Sequence, residues 1–187
     1  FTAVALLALA LGIGVNSVMF SLADAILFRP LPVRAPEQLL RVGMTDEKGV
    51  ALGGLSYPQL KDLAREARSF SGLVGTSDGA LVNLGIGDQP VERATASSVS
   101  GNYFEVLGLV PAAGRLLAPA DDSTPGAHPV LVLNEAFWKR RFGSDPKVVG
   151  SVVRMNTHPY TVLGVAPRGF HGTNLDEVPD VWIPLTM

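Results

Sequence analysis

Cysteine is absent from this chain of 187 residues, histidine occurs three times, and only 17% of the side chains are charged. Without cysteine there is no disulfide scaffold and no thiolate metal site, and the redox compartment leaves no mark on the sequence. A soluble domain carries about 25% charged residues, so this chain is short of charge. Lys and Arg number 15 against 17 Asp and Glu, a formal net charge of −2. The basic field that nucleic-acid binding requires is therefore missing. Gly and Pro together are 34 of 187 residues, below the roughly 25–30% that marks low-complexity disorder. There is no G-x-x-x-x-G-K-S/T phosphate loop, no H-E-x-x-H and no G-x-S-x-G elbow. His128, His158 and His171 each stand beside Pro or Gly, with no pair at i, i+4.

What the chain has in excess is concentrated at one end. Residues 1–28 hold 21 hydrophobic side chains and a single charge, Asp24, whereas 31 of the remaining 159 residues are charged. Residues 3–15 carry no polar side chain. As a helix, 28 residues would reach about 42 Å, enough to cross a hydrocarbon core of about 30 Å. Ala8, Gly12 and Asn16 fall on one face of that helix, with Ala10 and Gly14 beside them. Small residues at this spacing let a second helix approach closely in a membrane. Three other readings compete. Residues 3–15 followed by Ala23-Asp24-Ala25 have the form of a cleaved signal peptide, although the chain opens at Phe1 without Met or a basic stretch and reads as a piece of something longer. Thirteen apolar residues also suit a buried core helix. Gly12-Ile13-Gly14-Val15-Asn16-Ser17 begins like a dinucleotide fingerprint but has Ser at its third position and no strand before it. Arg29-Pro30-Leu31-Pro32 stops the helix, since proline lacks the donor and disfavours helix in the residue before it.

Beyond the prolines the pattern is that of an α+β domain. A strand is expected over 39–44 and a helix from Ser56 as N-cap through Leu60, Leu63, Ala64, Ala67 and Phe70. Short strands follow at 73–75, 80–84 and 91–96, the last entered through a turn at Gly87-Asp88. Residues 102–108 form a short helix ended by Gly108. A polar loop covers 119–129, and Val130-Leu131-Val132-Leu133 has the form of a buried strand. Asn134 caps a helix over 135–142 that Gly143 closes. Strands at 148–155 and 160–165 form a hairpin across Asn156-Thr157-His158-Pro159, and a last strand lies at 181–183.

Chemistry is thin. Asp121-Asp122 lacks the spacing of a calcium loop and reads as a solvated acidic pair. Lys139-Arg140-Arg141 is read as the wet face of its helix, with contact to acidic lipid or a partner as the other reading. A Ser–His–Asp arrangement stays open, because proximity in the fold is invisible in sequence. No catalytic, cofactor-binding or metal-binding residue is assigned.

Several stretches together resemble the MacB-like and FtsX-like permeases of ABC transport systems, nearest to the duplicated type common in acidobacteria. Leu11 to Ser21, running on to Arg29-Pro30-Leu31-Pro32, is similar to the first membrane helix of such permeases. Ser98-Val99-Ser100-Gly101-Asn102-Tyr103-Phe104-Glu105-Val106-Leu107-Gly108 with Ala113-Gly114-Arg115, Leu133 to Gly143, Val149-Gly150 through His158-Pro159-Tyr160 to Gly164-Val165, and Trp182-Ile183-Pro184 resemble successive parts of the periplasmic core domain. Val33 departs from the aromatic residue that often follows the Arg-Pro-Leu-Pro element. The resemblance implies a transmembrane helix over 1–28 and a mixed α/β periplasmic core domain over 29–187, in one or two subdomains, on the outer side of the inner (cytoplasmic) membrane. It implies no cofactor. It implies as partners a cytoplasmic ABC ATPase subunit, a second permease subunit, a periplasmic or outer-membrane protein and the lipid bilayer. The expected function is non-catalytic coupling of the partner's ATP hydrolysis to movement outside the membrane. A secreted or membrane-tethered binding module acting alone is the alternative, and a tethered hydrolase is a third reading.

Overall fold

The computed structural model describes residues 2–27, 31–87, 90–174 and 176–187. It comprises two units, Phe1–Leu31 and Pro32–Met187. The first contains one helix, α1 (Thr2–Leu27), of 26 residues. Nothing breaks it, since it contains no proline and only two glycines, Gly12 and Gly14. Among the described residues no helix is long and apolar enough to cross a membrane. The helix stop at Arg29-Pro30, the Asp88 half of the Gly87-Asp88 turn and the side chain of Ala8 lie outside the described residues.

The second unit opens with a single 3-10 turn and a small antiparallel hairpin, β1 (Met44–Thr45) and β2 (Ala51–Gly53). Asp46 shapes its turn, accepting the Lys48 and Val50 N–H groups at 2.9 and 2.8 Å. The strand expected over 39–44 is not formed as such: only Met44 belongs to a strand, and Leu40 is 75% exposed. Among the described residues no strand pairs with 39–43 to take up their backbone groups. Helix α2 (Tyr57–Glu66) starts where Ser56 predicts, with the Gln59 side-chain oxygen accepting the Ser56 N–H at 2.9 Å and Pro58 in the first turn. It ends before Phe70, because Ala67 turns extended.

The body of the unit is built from β3 (Thr76–Gly85), β4 (Glu92–Val99), α3 (Tyr103–Val106), β5 (Ala113–Gly114), β6 (Val130–Leu133), α4 (Glu135–Phe142), β7 (Val152–Met155), β8 (His158–Val165) and β9 (Val181–Pro184). The strand expected at 73–75 begins instead at Thr76, and the segment before Val152 is a 3-10 turn at Pro146–Val148. The β7–β8 connection is tighter than its four loop-like residues suggest: Met155 pairs with His158, so only Asn156 and Thr157 turn.

Seven strands run in the order β5-β8-β6-β9-β4-β3-β7, and β7 also pairs with β8. Strands β8, β6, β9, β4, β3 and β7 are thereby hydrogen-bonded into a closed ring, with β5 following β7 along one edge of β8. The β4–β9 and β6–β8 pairs are parallel and the rest antiparallel. Side chains alternate across each strand, so the ring buries two layers. Leu131, Leu133, Val181, Ile183, Ala94 and Ala96 join Val153, Val162 and Phe137 in one cluster. Val132, Trp182 and Val99 face the other, with Tyr103, Phe104, Leu107 and Phe170. This double burial is why β6 and β9 read as unbroken apolar runs rather than as alternating ones.

Candidate functional site

The small-residue row of α1 is the one arrangement the sequence marks for contact with another helix. Gly12 and Asn16 are exposed, and a Cβ placed on Gly12 meets nothing within 4 Å. The side chain of Ala8 lies outside what the structure describes.

The acidic pair at 121–122 is not solvated. Both residues are buried, and a 3-10 turn at Pro119–Asp122 aims them inward. Arg115 grips Asp121 with both terminal nitrogens, Nη1 to Oδ2 at 2.7 Å and Nη2 to Oδ1 at 2.9 Å, while Oδ2 also accepts the Ala118 N–H at 2.9 Å. The hydrogen bonds from Arg115 hold the Asp121 carboxyl below its ordinary value of 3.8, outweighing the opposing effect of burial. Asp122 ties three distant segments together. Its Oδ1 accepts the Thr186 N–H at 2.9 Å, and its Oδ2 accepts the Gly101 N–H at 3.2 Å and the Tyr57 hydroxyl at 3.1 Å. The Gly101 backbone passes so close that a Cβ there would stand 2.6 Å from the Ala118 carbonyl oxygen. These carboxylates are structural fasteners. Loop composition alone concealed them, because the partners of Asp122 lie more than 20 residues away in sequence. Among the described residues no group of three or more His, Cys, Asp or Glu is placed to hold a metal ion.

The basic run on α4 keeps Lys139 and Arg140 exposed, the wet face expected of it, and only Arg141 is tucked in. Helix α4 forms as expected, Asn134 Oδ1 accepting the Ala136 N–H at 2.8 Å and Gly143, at φ +58°, closing it. Arg140 contacts Glu92 at 3.3 Å and Asp180 at 3.2 Å. Arg141 donates to the Pro90 carbonyl at 2.6 Å and pairs with Glu92 at 3.3 Å, its side chain only 18% exposed. Lys139 pairs with Glu135 one turn back. From that exposed face Arg140 and Arg141 reach across to the β3–β4 connection, the start of β4 and the residue before β9, while Lys139 pairs only within α4. Beside them Ile86, Arg141, Phe142, Asp145 and Lys147 line an open cleft of about 300 Å³.

Helix α3 lies over the second layer. Phe104 meets Trp182 edge-on, ring centroids 5.7 Å apart, and Phe170 stacks on Trp182 at 5.5 Å. Burial pushes the Tyr103 hydroxyl up to about 12, and it bonds Thr173 Oγ1 at 3.2 Å. A neutral donor at that position serves packing. Among the described residues the histidines form no metal-holding group, and His158 contacts the Asn156 carbonyl at 3.2 Å beside the β7–β8 turn.

The ring with its α3 cap has the fold of extracytoplasmic domains of ABC-type transporters. The periplasmic region of MacB from Actinobacillus actinomycetemcomitans superposes with a TM-score of 0.56 at 24% identity, covering 77% of this chain and 62% of that one. The extracellular domain of the noncanonic ABC-type transporter YknZ from Gram-positive bacteria gives a TM-score of 0.56 at 15% identity, over 71% and 64% of the two chains. Residues 2–187 match the MacB-like periplasmic core domain, and the chain belongs to that family. Among full-length relatives, the macrolide export ATP-binding/permease protein MacB 1 of Aeromonas hydrophila is 31% identical over 149 residues, 80% of this chain and 20% of that protein. The MacB of Aggregatibacter actinomycetemcomitans is 27% identical over 138 residues, 72% of this chain and 21% of its own length. The chain thus spans about a fifth of the length of these curated relatives.

Proposed function

We propose that this chain is the extracytoplasmic core of an ABC-type permease, non-catalytic in itself, that couples ATP hydrolysis by a cytoplasmic partner to movement outside the inner membrane. The family match over residues 2–187 carries this reading. Helix α1 is the first membrane helix in this proposal, supported by the apolar run over residues 3–15, and everything from about residue 29 onward lies outside the cytoplasm. Ala8, Gly12 and Asn16 form its contact with a neighbouring helix of the same or a second permease subunit. The domain works by rigid-body displacement, with Asp121, Asp122, Arg115 and Arg140 held in internal ties. A second permease subunit, an ABC ATPase and a periplasmic or outer-membrane protein are the partners in this reading.

The chain has no cysteine, so one introduced thiol reports its own location. Ser123→Cys, on an exposed stretch of loop, is expected to react with a membrane-impermeant maleimide applied from the periplasmic side, and the protein is expected to stay with the membrane fraction. Labelling only after the cytoplasm is opened would overturn the reading. Recovery of a soluble protein lacking residues 1–25 would instead support the alternative, a released binding module.

A further inference from the structure

Residues 35–72 leave the body of the domain and return to it at nearly the place they left. Arg34 donates its backbone N–H to the Leu107 carbonyl at 2.9 Å, just past the end of α3, and Val33 packs on the aromatic cluster. At the far end of the excursion Gly72 approaches the same helix so closely that an added Cβ would stand 2.7 Å from Val106 Cγ2. From there the backbone is locked to the ring. Asn102 Nδ2 donates to the Leu73 carbonyl at 3.0 Å, the Gly75 N–H donates to Ser100 Oγ at 3.1 Å, and the Ser100 N–H donates to the Gly75 carbonyl at 2.9 Å.

Between those ends, none of the described residues from 35 to 72 is buried. The excursion touches the body through Tyr57 on Asp122 and through Leu60, which lies over Gly75 together with Leu185. Gly108 fits this junction in two ways. Its φ of +68° favours glycine, and a Cβ there would stand 2.8 Å from Arg34 Cβ and 3.0 Å from Arg34 Nε. The arginine thus lies in the space that the missing side chain leaves. Helix α3 itself is deeply seated, with Tyr103, Phe104 and Leu107 each 1% exposed.

We infer that Arg34 and Gly108 form a clip that closes the 35–72 excursion, so that tension on the chain upstream of Pro32 enters α3 directly and bypasses those residues. With the clip closed, the load reaches Phe104 and, through it, Trp182 on the central strand β9. With the clip open, the same load runs first through residues none of whose described side chains is buried, and these unravel before the ring feels it. That a membrane helix supplies the tension rests on the function proposed above; the clip does not, so the two fail separately.

Force spectroscopy on the whole 187-residue chain in detergent tests it, with one cysteine handle placed at each end of a sequence that has none of its own. The wild type is expected to show a first low-force event before the ring unfolds. Its lengthening is about 125–137 Å, the reach of residues 35–72 at about 3.3–3.6 Å each. Arg34→Pro removes the N–H donor and Gly108→Ala fills the space beneath Arg34. In both, that event is expected to move to lower force, because the Tyr57–Asp122 and Leu60 contacts then hold the excursion without the clip, while the later ring event stays in place. Arg34→Pro decides the matter if Gly108→Ala fails to fold, because Arg34 is exposed and outside the core. A wild-type trace without the first event, or that event at the same force in wild type and Arg34→Pro, would overturn the clip whatever the chain's role in transport.

Discussion

Gly164 and Gly114 face each other where β8 and β5 cross, and neither has room for a side chain. A Cβ on Gly164 would stand 2.4 Å from both the Ala113 and Arg115 carbonyl oxygens, and one on Gly114, at φ +66°, would stand 2.3 Å from the Leu163 oxygen. The obstacles are backbone atoms, which cannot swing aside as a flexible side chain would. Gly164→Ala is therefore expected to destabilise by at least the about 1–3 kcal/mol of an overpacked core, read as a lower thermal midpoint. An unchanged midpoint would refute the crossing. Asp121 gives a prediction of a different kind. Its folded-state pKa lies below its ordinary 3.8, so its contribution to stability is present above that value and is lost as pH falls through the folded one. Arg115→Gln removes the first cause of that shift. The variant is expected to be less stable than wild type near neutral pH and to lose less on acidification, so the two urea midpoints converge in acid. A difference between midpoints that stays constant with pH would exclude the pair as the source. Neither feature is legible from the sequence. Twenty glycines look alike there, and an acidic pair in a Pro-rich loop looks wet until Arg115, six positions earlier, is seen to reach it.

At the scale of elements, the hairpin β7–β8 carries the clearest strain. Asn156 and Thr157 both adopt positive φ, 46° and 77°. That is the geometry of a two-residue hairpin loop, for which Asn-Gly is the favoured pair. Asn156 suits its place, since its Oδ1 accepts the Asn83 N–H at 2.8 Å and its own N–H donates to the Asn83 carbonyl at 2.9 Å. Thr157 is β-branched in the left-handed region, where such side chains are disfavoured by about 1–2 kcal/mol. Thr157→Gly relieves that and gives back part of it through a looser unfolded chain, for a net stabilisation of about 0.5–1 kcal/mol measured by urea titration. A loss of stability would show that the Thr157 side chain holds something the turn geometry does not explain. The sequence read this hairpin as a longer loop because His158 and Pro159 look like loop residues, yet both lie in β8, where Pro159 pairs with Arg154. Elements whose ends are fixed by local chemistry fared better. Asn134 and Gly143 delimit α4, and the Ser56–Gln59 box starts α2, because each device acts within three or four residues. The strand expected over 39–44 failed for the converse reason, since a strand needs a partner and among the described residues none pairs with 39–43.

For the whole molecule, what the sequence left open is the closure of the ring, and one late strand decides it. Strand β9 inserts between β4 and β6, pairing residues 96–99 in parallel with 181–184. Partners some 85 positions apart leave no local signature, so the apolar run at 181–183 announced a strand without its place. That place is central. Trp182, fully buried, completes the layer under α3, while Val181 and Ile183 fill the opposite layer. Asp180 prepares the insertion by accepting the Thr95 N–H at 3.0 Å, and Leu185 and Thr186 complete it through bonds to Val99 and Asp122. By contrast, among the described residues the buried apolar side chains lie between Val82 and Ile183, and none of the described side chains of α1 is buried. The two ends of the chain should therefore matter unequally. Removing residues 1–31 is expected to leave a domain that melts cooperatively within about 4 °C of the whole chain, a stability change of about 1 kcal/mol or less. Removing residues 181–187 takes away a strand buried on both faces and opens the ring between β4 and β6. The shortened chain should then show no cooperative transition by calorimetry, because losing Trp182 alone is worth about 3–5 kcal/mol against a total stability of about 5–15. Cooperative melting without β9 would mean that the ring can close around its absence, and the double-layered core would have to be redrawn.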